Sequence, residues 1–344
     1  MRAKALLRAV SFGLTIALSG LTAQFAAAQD QAAFFKGKTI RIAVGFPPGG
    51  SYDFYARLAG DMLKAHIPGL EAAIVENKPG AGGLIATNYV YSQVPRDGTV
   101  MGVLPDTIVT TQMMEPANAN WDVAKFNFIG TFTPVNSVIM RRANAPAKTI
   151  DEMRMREVNV GCSGINAQSY QFTAMLKALG GFKFKMICGY GGFSPLAIAL
   201  ERGEIDLTSN GWAGWRVTHR SQIQSGEFVP VYQVGLKRAS ELPDVPLAQE
   251  LVSDSAAKKA IEFISAGTAI GRALVAPPGI PQARIDYLRS VFDRMVRDPA
   301  MIETAAKRGL ELEPAPGTEI QKIVEAIVAT PPDIVKRASA AFGG

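Results

Sequence analysis

Two glycine-rich loops near the start of the chain have the composition of an anion-binding site. The first, residues 47–50 (Pro-Pro-Gly-Gly), follows the apolar run Ile40–Phe46, and the second, Gly80–Gly83, follows Ala73–Val75. Both runs are short and β-branched, as buried strands are, and helical spacing resumes after each loop, with Ser51 at the N-cap position. Two such units place free backbone N–H groups and positive helix ends at one sheet edge. We therefore predict that a carboxylate docks there.

The glycine loops do not match the known nucleotide-binding motifs. After Gly80 and Gly82, the position that a dinucleotide-binding loop reserves for a third glycine holds Ile85. Neither loop is followed by the Gly-Lys-Ser/Thr of a phosphate-binding P-loop. The alternative that remains is structural, because glycines also make tight turns between a strand and a helix.

The composition indicates an exported protein of two lobes. The chain has 344 residues, with 36 Lys and Arg against 30 Asp and Glu. Residues 1–28 have a basic start, an apolar centre and a final Ala26-Ala27-Ala28, the pattern of a cleaved secretory signal. Without them 33 basic residues remain against 30 acidic ones, and they are scattered along the chain. We expect no nucleic-acid partner, and 344 residues suit two lobes better than one compact domain.

The middle of the chain repeats the strand–loop–helix pattern of the beginning. Val158–Gly161 is a predicted strand, residues 162–166 a loop of small residues and 167–179 a helix. A further strand at 182–187 leads to the loop Gly189–Gly192 and another helix. This alternation predicts an α/β fold whose parallel sheets carry helices on both faces.

The motifs resemble those of one known family. Residues 46–53 together with Arg57 are similar to the F-P-x-G-G-x-x-D…R signature of the Bug family, the substrate-binding proteins of tripartite tricarboxylate transporters. Glu76–Gly83 resembles that family's second signature, E-N-x-P-G-A-G-G. The later segments Gly189–Gly192, Leu242–Pro246 and Ala276–Pro281 follow in the family's order, so the resemblance covers nearly all of the mature chain.

This resemblance implies a two-lobed periplasmic binding protein (Venus-flytrap) fold, in which each lobe is a mainly parallel sheet flanked by helices. Residues 29–134 with 236–344 are expected to form lobe 1, and 135–235 lobe 2. A small organic carboxylate, either a dicarboxylate or an aromatic or apolar carboxylate, would bind between them and pass to membrane subunits of the transporter. We expect a periplasmic monomer without catalytic activity, cofactor or metal.

The resemblance and the residues together predict a set of ligand contacts. The expected contacts of the first lobe are Phe46, Gly49, Gly50, Ser51, Asp53, Gly82 and Gly83. Asp53 is expected to hold the loop or a water, because a second anion suits a carboxylate site poorly. The expected contacts of the second lobe are Ser163, Asn166, Ala167, Gln168, Ser169, Tyr190, Asn210, Trp212 and Trp215.

The second lobe departs from the family pattern. Many members have a histidine at the position that aligns with Tyr170. The nearby Trp212 and Trp215 either pack the lobe interior or close over an apolar or aromatic ligand, with Arg216 as its counter-charge. Arg272, further along the chain, either bridges the lobes or, as we expect, makes an ordinary surface ion pair.

Two questions stay open at this point. A secreted α/β hydrolase using Ser163 is the alternative function, because Gly161–Gly164 occupies the place of a nucleophile elbow; its spacing is incomplete, and His66 and His219 are poorly placed as bases. Cys162 and Cys188 end neighbouring strands of one βαβ unit, close enough for a disulfide. Neighbouring parallel strands seldom have disulfide geometry, which favours free thiols.

Overall fold

A computed structural model describes residues 30–342 and places eleven strands in two sheets. The predicted signal peptide, residues 1–28, lies outside the described residues. In chain order the strands are β1 Thr39–Val44, β2 Ala72–Asn77, β3 Val100–Val103, β4 Asn127–Thr131, β5 Ser137–Arg142, β6 Val158–Cys162, β7 Phe184–Cys188, β8 Leu207–Gly211, β9 Phe228–Val234, β10 Ala273–Ala276 and β11 Ala315–Pro316.

Thirteen α-helices between residues 51 and 340 surround the sheets. They are α1 Ser51–His66, α2 Leu84–Asn88, α3 Ile108–Met114, α4 Ile150–Met155, α5 Gln168–Leu179, α6 Phe193–Arg202, α7 Trp212–Thr218, α8 Arg220–Gln224, α9 Ser255–Ala266, α10 Gln282–Met295, α11 Pro299–Lys307, α12 Gly317–Val328 and α13 Pro332–Ala340. Among these residues no helix is both long and apolar enough to cross a membrane.

The two-lobed α/β fold is confirmed, but both sheets are mixed rather than mainly parallel. The first has the order β11-β4-β10-β3-β1-β2, with β1 parallel to β2 and β3 and the other pairs antiparallel. The second has the order β7-β6-β8-β5-β9, with β6 parallel to β7 and β8. Strand β5 follows β4 through the short link 132–136 and pairs antiparallel with β8 and β9. Two parallel neighbours must be joined by a long crossover connection. Strand β5 enters its sheet through a short link between the lobes, so it pairs antiparallel with its neighbours instead.

The lobes share packing beyond the two crossings. Helix α9, which follows the return of the chain from the second sheet, packs against α5 of the second sheet and against α13. Hydrogen bonds also cross between the lobes, from Gln171 Nε2 to Thr111 Oγ1 at 3.1 Å and from Thr107 Oγ1 to the Asn166 carbonyl at 3.2 Å. We propose that the predicted division, 29–134 with 236–344 and 135–235, describes the two bodies that move relative to one another.

Cys162 and Cys188 form a disulfide, which answers the question that the sequence left open, although the parallel strands had favoured free thiols. The two cysteines are partners in the register of the parallel strands β6 and β7, and their Cα atoms lie 4.4 Å apart. Strands at this spacing bring the last Cβ atoms of both within bridging range where the chain leaves the sheet. The bridge therefore joins the bases of the two loops that follow, residues 163–167 and 189–192.

Removing the disulfide should destabilise the protein. The bridge closes a segment of 26 residues, and a loop of this length restricts the unfolded chain by about 3 kcal/mol. We expect the double variant Cys162→Ser/Cys188→Ser to lose about that much free energy of unfolding, measured by denaturant titration. Thiol labelling of the unfolded, unreduced wild type provides the control. Two labelled thiols, or an unchanged free energy of unfolding, would contradict the bridge.

Candidate functional site

A small cavity of about 60 Å³ lies where the two lobes meet. Of the predicted contact residues, those that line it are Phe46, Gly50, Ser51, Ser163, Ala167, Gln168, Ser169 and Asn210. The lining residues that sequence reasoning missed are Pro47, Pro48, Tyr52, Gly192, Phe193, Ser194, Pro195, Leu196 and Ser209. Phe193 and Ser194 could have been found from the sequence. They begin the helix of the strand–loop–helix unit at 184–202, and the same kind of unit had predicted the first loop as a contact.

Three helices begin at the cavity wall without a side-chain cap. They are α1, α5 and α6, whose N-cap residues Gly50, Ala167 and Gly192 accept no side-chain hydrogen bond from their helices. Each N-cap and the residue after it line the cavity. Ser51, predicted as an N-cap, is instead the first helical residue. The first backbone N–H groups of a helix lack intrahelical partners, and its N-terminus carries partial positive charge. The three helix ends therefore give the cavity a surface of hydrogen-bond donors.

The polar side chains around the cavity are uncharged, and two of them have no partner among the described residues. No Asp, Glu, Lys, Arg or His belongs to the described lining. Ser209 Oγ and Asn210 Nδ2 are buried, and neither atom makes a hydrogen bond to another described residue. Both residues lie at the end of β8, on the second-lobe side of the cavity. A buried polar atom left unpaired costs free energy, so these atoms are suited to receive a polar ligand.

Asp53 holds the first loop in place and does not line the cavity. Its carboxylate accepts hydrogen bonds from Gly49 N–H at 3.2 Å, from Asn77 Nδ2 at 3.0 Å and from two nitrogens of Arg57. Burial by itself raises the pKa of Asp53, but these hydrogen bonds outweigh burial and hold the pKa below its ordinary value. Asn77 also donates to the Phe46 carbonyl at 2.8 Å. Asp53 thus accepts a loop N–H, as predicted, and it fixes the approach to helix α1.

The second glycine loop contacts the other lobe rather than the cavity. Gly82 and Gly83 have φ angles of 66° and 97°, a conformation that favours glycine. A Cβ atom at Gly82 would lie 2.6 Å from the carbonyl carbon of Asn166. Gly82 and Asn166 therefore form a close approach between the lobes beside the cavity, whereas Gly83 packs against Pro105 of its own lobe.

A buried ion pair stands behind the cavity wall, and the prediction of a surface pairing for Arg272 was wrong. The side chains of Arg272 and Asp106 are both fully buried, with Arg272 Nη1 3.1 Å from Asp106 Oδ2. The Arg272 guanidinium lies 3.7 Å from the ring centroid of Tyr52 and donates to Ser51 Oγ. Arg272 directly precedes β10, an interior strand of its sheet, and its side chain is fully buried.

Tyr52 connects this ion pair to the second lobe. Burial raises the pKa of Tyr52, so its phenol keeps its proton and donates to Asp106 Oδ1 at 3.0 Å. The Tyr52 hydroxyl oxygen in turn accepts from Gln168 Nε2 at 2.9 Å, and Gln168 Oε1 accepts from Ser137 Oγ. Gln168 and Ser137 belong to the second lobe, so the network links both lobes at the cavity.

The tryptophans and Arg216 lie away from the described cavity lining. Trp215 is fully buried, and its Nε1 donates to the Val138 carbonyl at 2.9 Å. Trp212 Nε1 donates to Glu241. Arg216 pairs with Glu241 at 2.8 Å and with Glu311 at 2.6 Å, so its charge is already balanced. The interpretation of these residues as an aromatic lid with a counter-charge is replaced by that of core packing, because helix α7 turns both rings into the lobe.

Tyr190 and the histidines also lie outside the cavity lining. Tyr190 packs against the apolar cluster of the second lobe. Ser163 Oγ shares a hydrogen bond with Ser169 Oγ at 3.1 Å, while His66 bonds to Asp298 and His219 packs edge-on against Trp215. The hydrolase alternative needs a histidine beside Ser163, and this geometry does not support it. The described residues contain no cluster of three or more His, Cys, Asp or Glu that could hold a metal ion.

Comparison with known proteins agrees with this architecture. Residues 58–339 match the tripartite tricarboxylate transporter family receptor, TctC. A UPF0065 protein of Bordetella pertussis is 26% identical over 306 residues, which cover 87% of this chain and 89% of that protein.

Two solved structures are similar in fold. The periplasmic binding protein BugD has a TM-score of 0.71 at 24% identity, covering 89% of this chain and 98% of that one. Rpa4515 of R. palustris, solved with adipate, has a TM-score of 0.69 at 21% identity, covering 88% and 97%. Since the family match spans most of the chain, this protein belongs to the tripartite tricarboxylate transporter receptor family.

Proposed function

We propose that this protein captures an organic carboxylate in the cavity between its lobes and delivers it to the membrane subunits of a tripartite tricarboxylate-type transporter. The observation that carries the proposal is the cavity wall, where three uncapped helix N-termini meet and the described lining has no charged side chain. A carboxylate accepts several N–H bonds and gains from each helix end without a lysine or arginine. An ammonium compound would meet donors and no counter-charge.

The lining also supports a ligand with an apolar body and a second acceptor group. Phe46, Phe193 and Leu196 supply apolar surface between the two ends of the cavity. Ser209 Oγ and Asn210 Nδ2 offer unpaired polar atoms at the second-lobe end, which suits a second carboxylate or another acceptor. A dicarboxylate with an aliphatic chain meets both requirements, and a similar fold has been solved with adipate.

Residues 1–28 support export to the periplasm, where a disulfide such as Cys162–Cys188 persists. We propose that the protein works there as a monomer, and that the ligand is bound and released unchanged. Closure of the lobes would bend the crossings near Phe132–Arg141 and Tyr232–Leu236, because the chain passes between the sheets there.

A thermal-shift screen tests the proposed ligand class. We expect mono-, di- and tricarboxylates, with adipate among them, to include compounds that raise the unfolding temperature, because a ligand that binds only the folded state stabilises it. The matched primary amides, which keep shape and lose charge, should have little effect. Mass spectrometry of ligand carried through native purification identifies the natural compound, and its mass should stay unchanged after incubation. Stabilisation by amides or amines and by no carboxylate would contradict the proposal.

The variant Gly50→Val tests whether the ligand lies on the first loop. Gly50 has φ −104°, an ordinary extended value, and the nearest atom to a Cβ there is Phe193 Cβ at 4.0 Å. Valine is therefore tolerated by the backbone and occupies space that the ligand needs. We expect the fold to persist and affinity to fall by at least about tenfold, or 1.4 kcal/mol, in calorimetric titration with the strongest carboxylate of the screen.

Gly191→Val is the matched control for Gly50→Val. Gly191 lies in the loop before α6, outside the described cavity lining, and no atom lies within 4 Å of a Cβ placed there. Its affinity should stay within about twofold of the wild type. Unchanged affinity in a folded Gly50→Val protein would show that the ligand does not lie on this loop.

Replacing Asp53 tests the support of the loop. Asp53→Asn keeps the shape of the side chain and loses the charge that Arg57 and Gly49 N–H bind. Because the folded pKa lies below the ordinary value of 3.8, the carboxylate stabilises the fold above that pH, and the stabilisation is lost as pH falls through the folded pKa. We expect Asp53→Asn to lower affinity and to cost about 1 kcal/mol of unfolding free energy at pH 7.

The loss of stability in Asp53→Asn should shrink as the pH falls below 3.8, the ordinary pKa. Asp61→Asn is the control, since Asp61 lies on the same helix and its pair with Arg308 is exposed. A difference between Asp53→Asn and wild type that stays constant with pH would contradict the role of the Asp53 charge.

A further inference from the structure

Arg272 makes an unusual pair of contacts with a residue of the cavity wall. Its Nε and Nη2 lie 3.1 Å and 2.9 Å from Ser51 Oγ, so one guanidinium directs two N–H groups at a single hydroxyl. Its third contact, Nη1 to Asp106 Oδ2, holds the guanidinium from the other side. Ser51 is the first residue of α1 and belongs to the cavity lining.

These contacts decide which way the Ser51 hydroxyl can point. A serine hydroxyl has one proton to donate and two lone pairs that accept. Arginine has only donors, so the two bonds from Arg272 occupy both lone pairs of Ser51 Oγ. The Ser51 hydroxyl donates to no other described side chain or backbone group. Its proton therefore has no acceptor among the described residues, and the cavity that Ser51 lines is where a ligand could supply one.

The geometry points to Arg272 as a positioning residue: we propose that it makes the Ser51 hydroxyl an obligate donor, which binds the ligand carboxylate and rejects groups that carry their own N–H. This inference rests on the proposed function, because it assumes that an acceptor group reaches the first-lobe end of the cavity. Serine by itself binds donors and acceptors alike, so the selectivity comes from Arg272 behind it.

Arg272 acts through Ser51 and not by its net charge on the ligand. Its guanidinium is paired with the carboxylate of Asp106, and both side chains are fully buried. The absence of a side chain at Gly211 leaves room for it, since a Cβ there would lie 2.9 Å from Arg272 Nη2. A lysine has one nitrogen in place of the planar fork and cannot make all three contacts at once. Arg272→Lys should thus keep the buried positive charge and free a lone pair of Ser51.

A double-mutant cycle with acetate and its uncharged isostere acetamide tests the proposal. Ser51→Ala and Arg272→Lys should each weaken acetate binding by about tenfold, because each removes the directed hydrogen bond to a charged group. The double variant should weaken acetate binding by a total of about tenfold, no more than either single variant, because both changes act on the same hydroxyl. Independent effects would multiply to about a hundredfold. In Arg272→Lys the preference for acetate over acetamide should fall by about tenfold, since Ser51 can then accept from the amide.

Arg142→Lys is the matched control for Arg272→Lys. Arg142 forms a partly buried ion pair with Asp206 at 2.7 Å in the second lobe and does not belong to the described cavity lining. It should leave acetate affinity and the acetate-to-acetamide preference unchanged. If Arg272→Lys does not fold, Asp106→Asn/Arg272→Met removes both charges together, which buried pairs often tolerate, and should reproduce the loss of preference.

The outcomes separate this inference from the proposed function. Multiplicative effects of Ser51→Ala and Arg272→Lys would overturn the positioning role, as would an unchanged preference for acetate in folded Arg272 variants. Normal acetate binding by Ser51→Ala, together with loss of binding by Gly50→Val, would overturn it while the carboxylate site stands. A wild type that binds neither acetate nor any carboxylate of the screen would overturn both.

Discussion

The first turns of three helices meet at one cavity, where their backbone N–H groups lack intrahelical hydrogen-bond partners. The arrangement of strands and loops around the cavity follows from bringing these three helix ends together. Helices α1, α5 and α6 follow strands β1, β6 and β7, which belong to the parallel parts of the two mixed sheets. Parallel strands end at the same sheet edge, so the loops that follow them converge. The antiparallel strands β5 and β9 instead carry the chain between the lobes. The mixed sheets thus bring three helix N-termini to one cavity and also carry the chain between the lobes.

Several side chains hold that binding edge in shape without contacting the cavity. Asp53 ties the first loop to Arg57 and Asn77, and the Cys162–Cys188 bridge ties together the bases of the second-lobe loops. Arg272 and Asp106 stand behind Ser51 and Tyr52. The charged side chains of these groups lie one layer behind the cavity wall, and each is paired there with an opposite charge. The described wall itself presents neutral donors and no charged side chain.

Local repetition in the sequence predicted the fold, whereas residue type alone left the roles of single side chains open. The recurring strand–loop–helix pattern was enough to predict the α/β lobes and the first loop, because a strand that is buried and a helix that follows it both leave a local pattern in sequence. For Trp215 and Arg216 the sequence left two interpretations, packing within the lobe or contact with a ligand, because aromatic and cationic side chains serve both purposes. Their partners, Val138, Glu241 and Glu311, are distant in sequence, so only folding reveals that they are already engaged.

The sequence by itself determined the order of strands and helices, the two glycine loops and the family resemblance, since each depends on residues close together in the chain. Tertiary structure alone decided which loops face the cavity, how the sheets are mixed, that the cysteines pair and that Arg272 is buried. The Arg272–Ser51 contact joins residues 221 positions apart. The direction in which the Ser51 hydroxyl donates depends on that contact, because the N–H groups of Arg272 occupy the lone pairs of the oxygen and the O–H bond must point away from them.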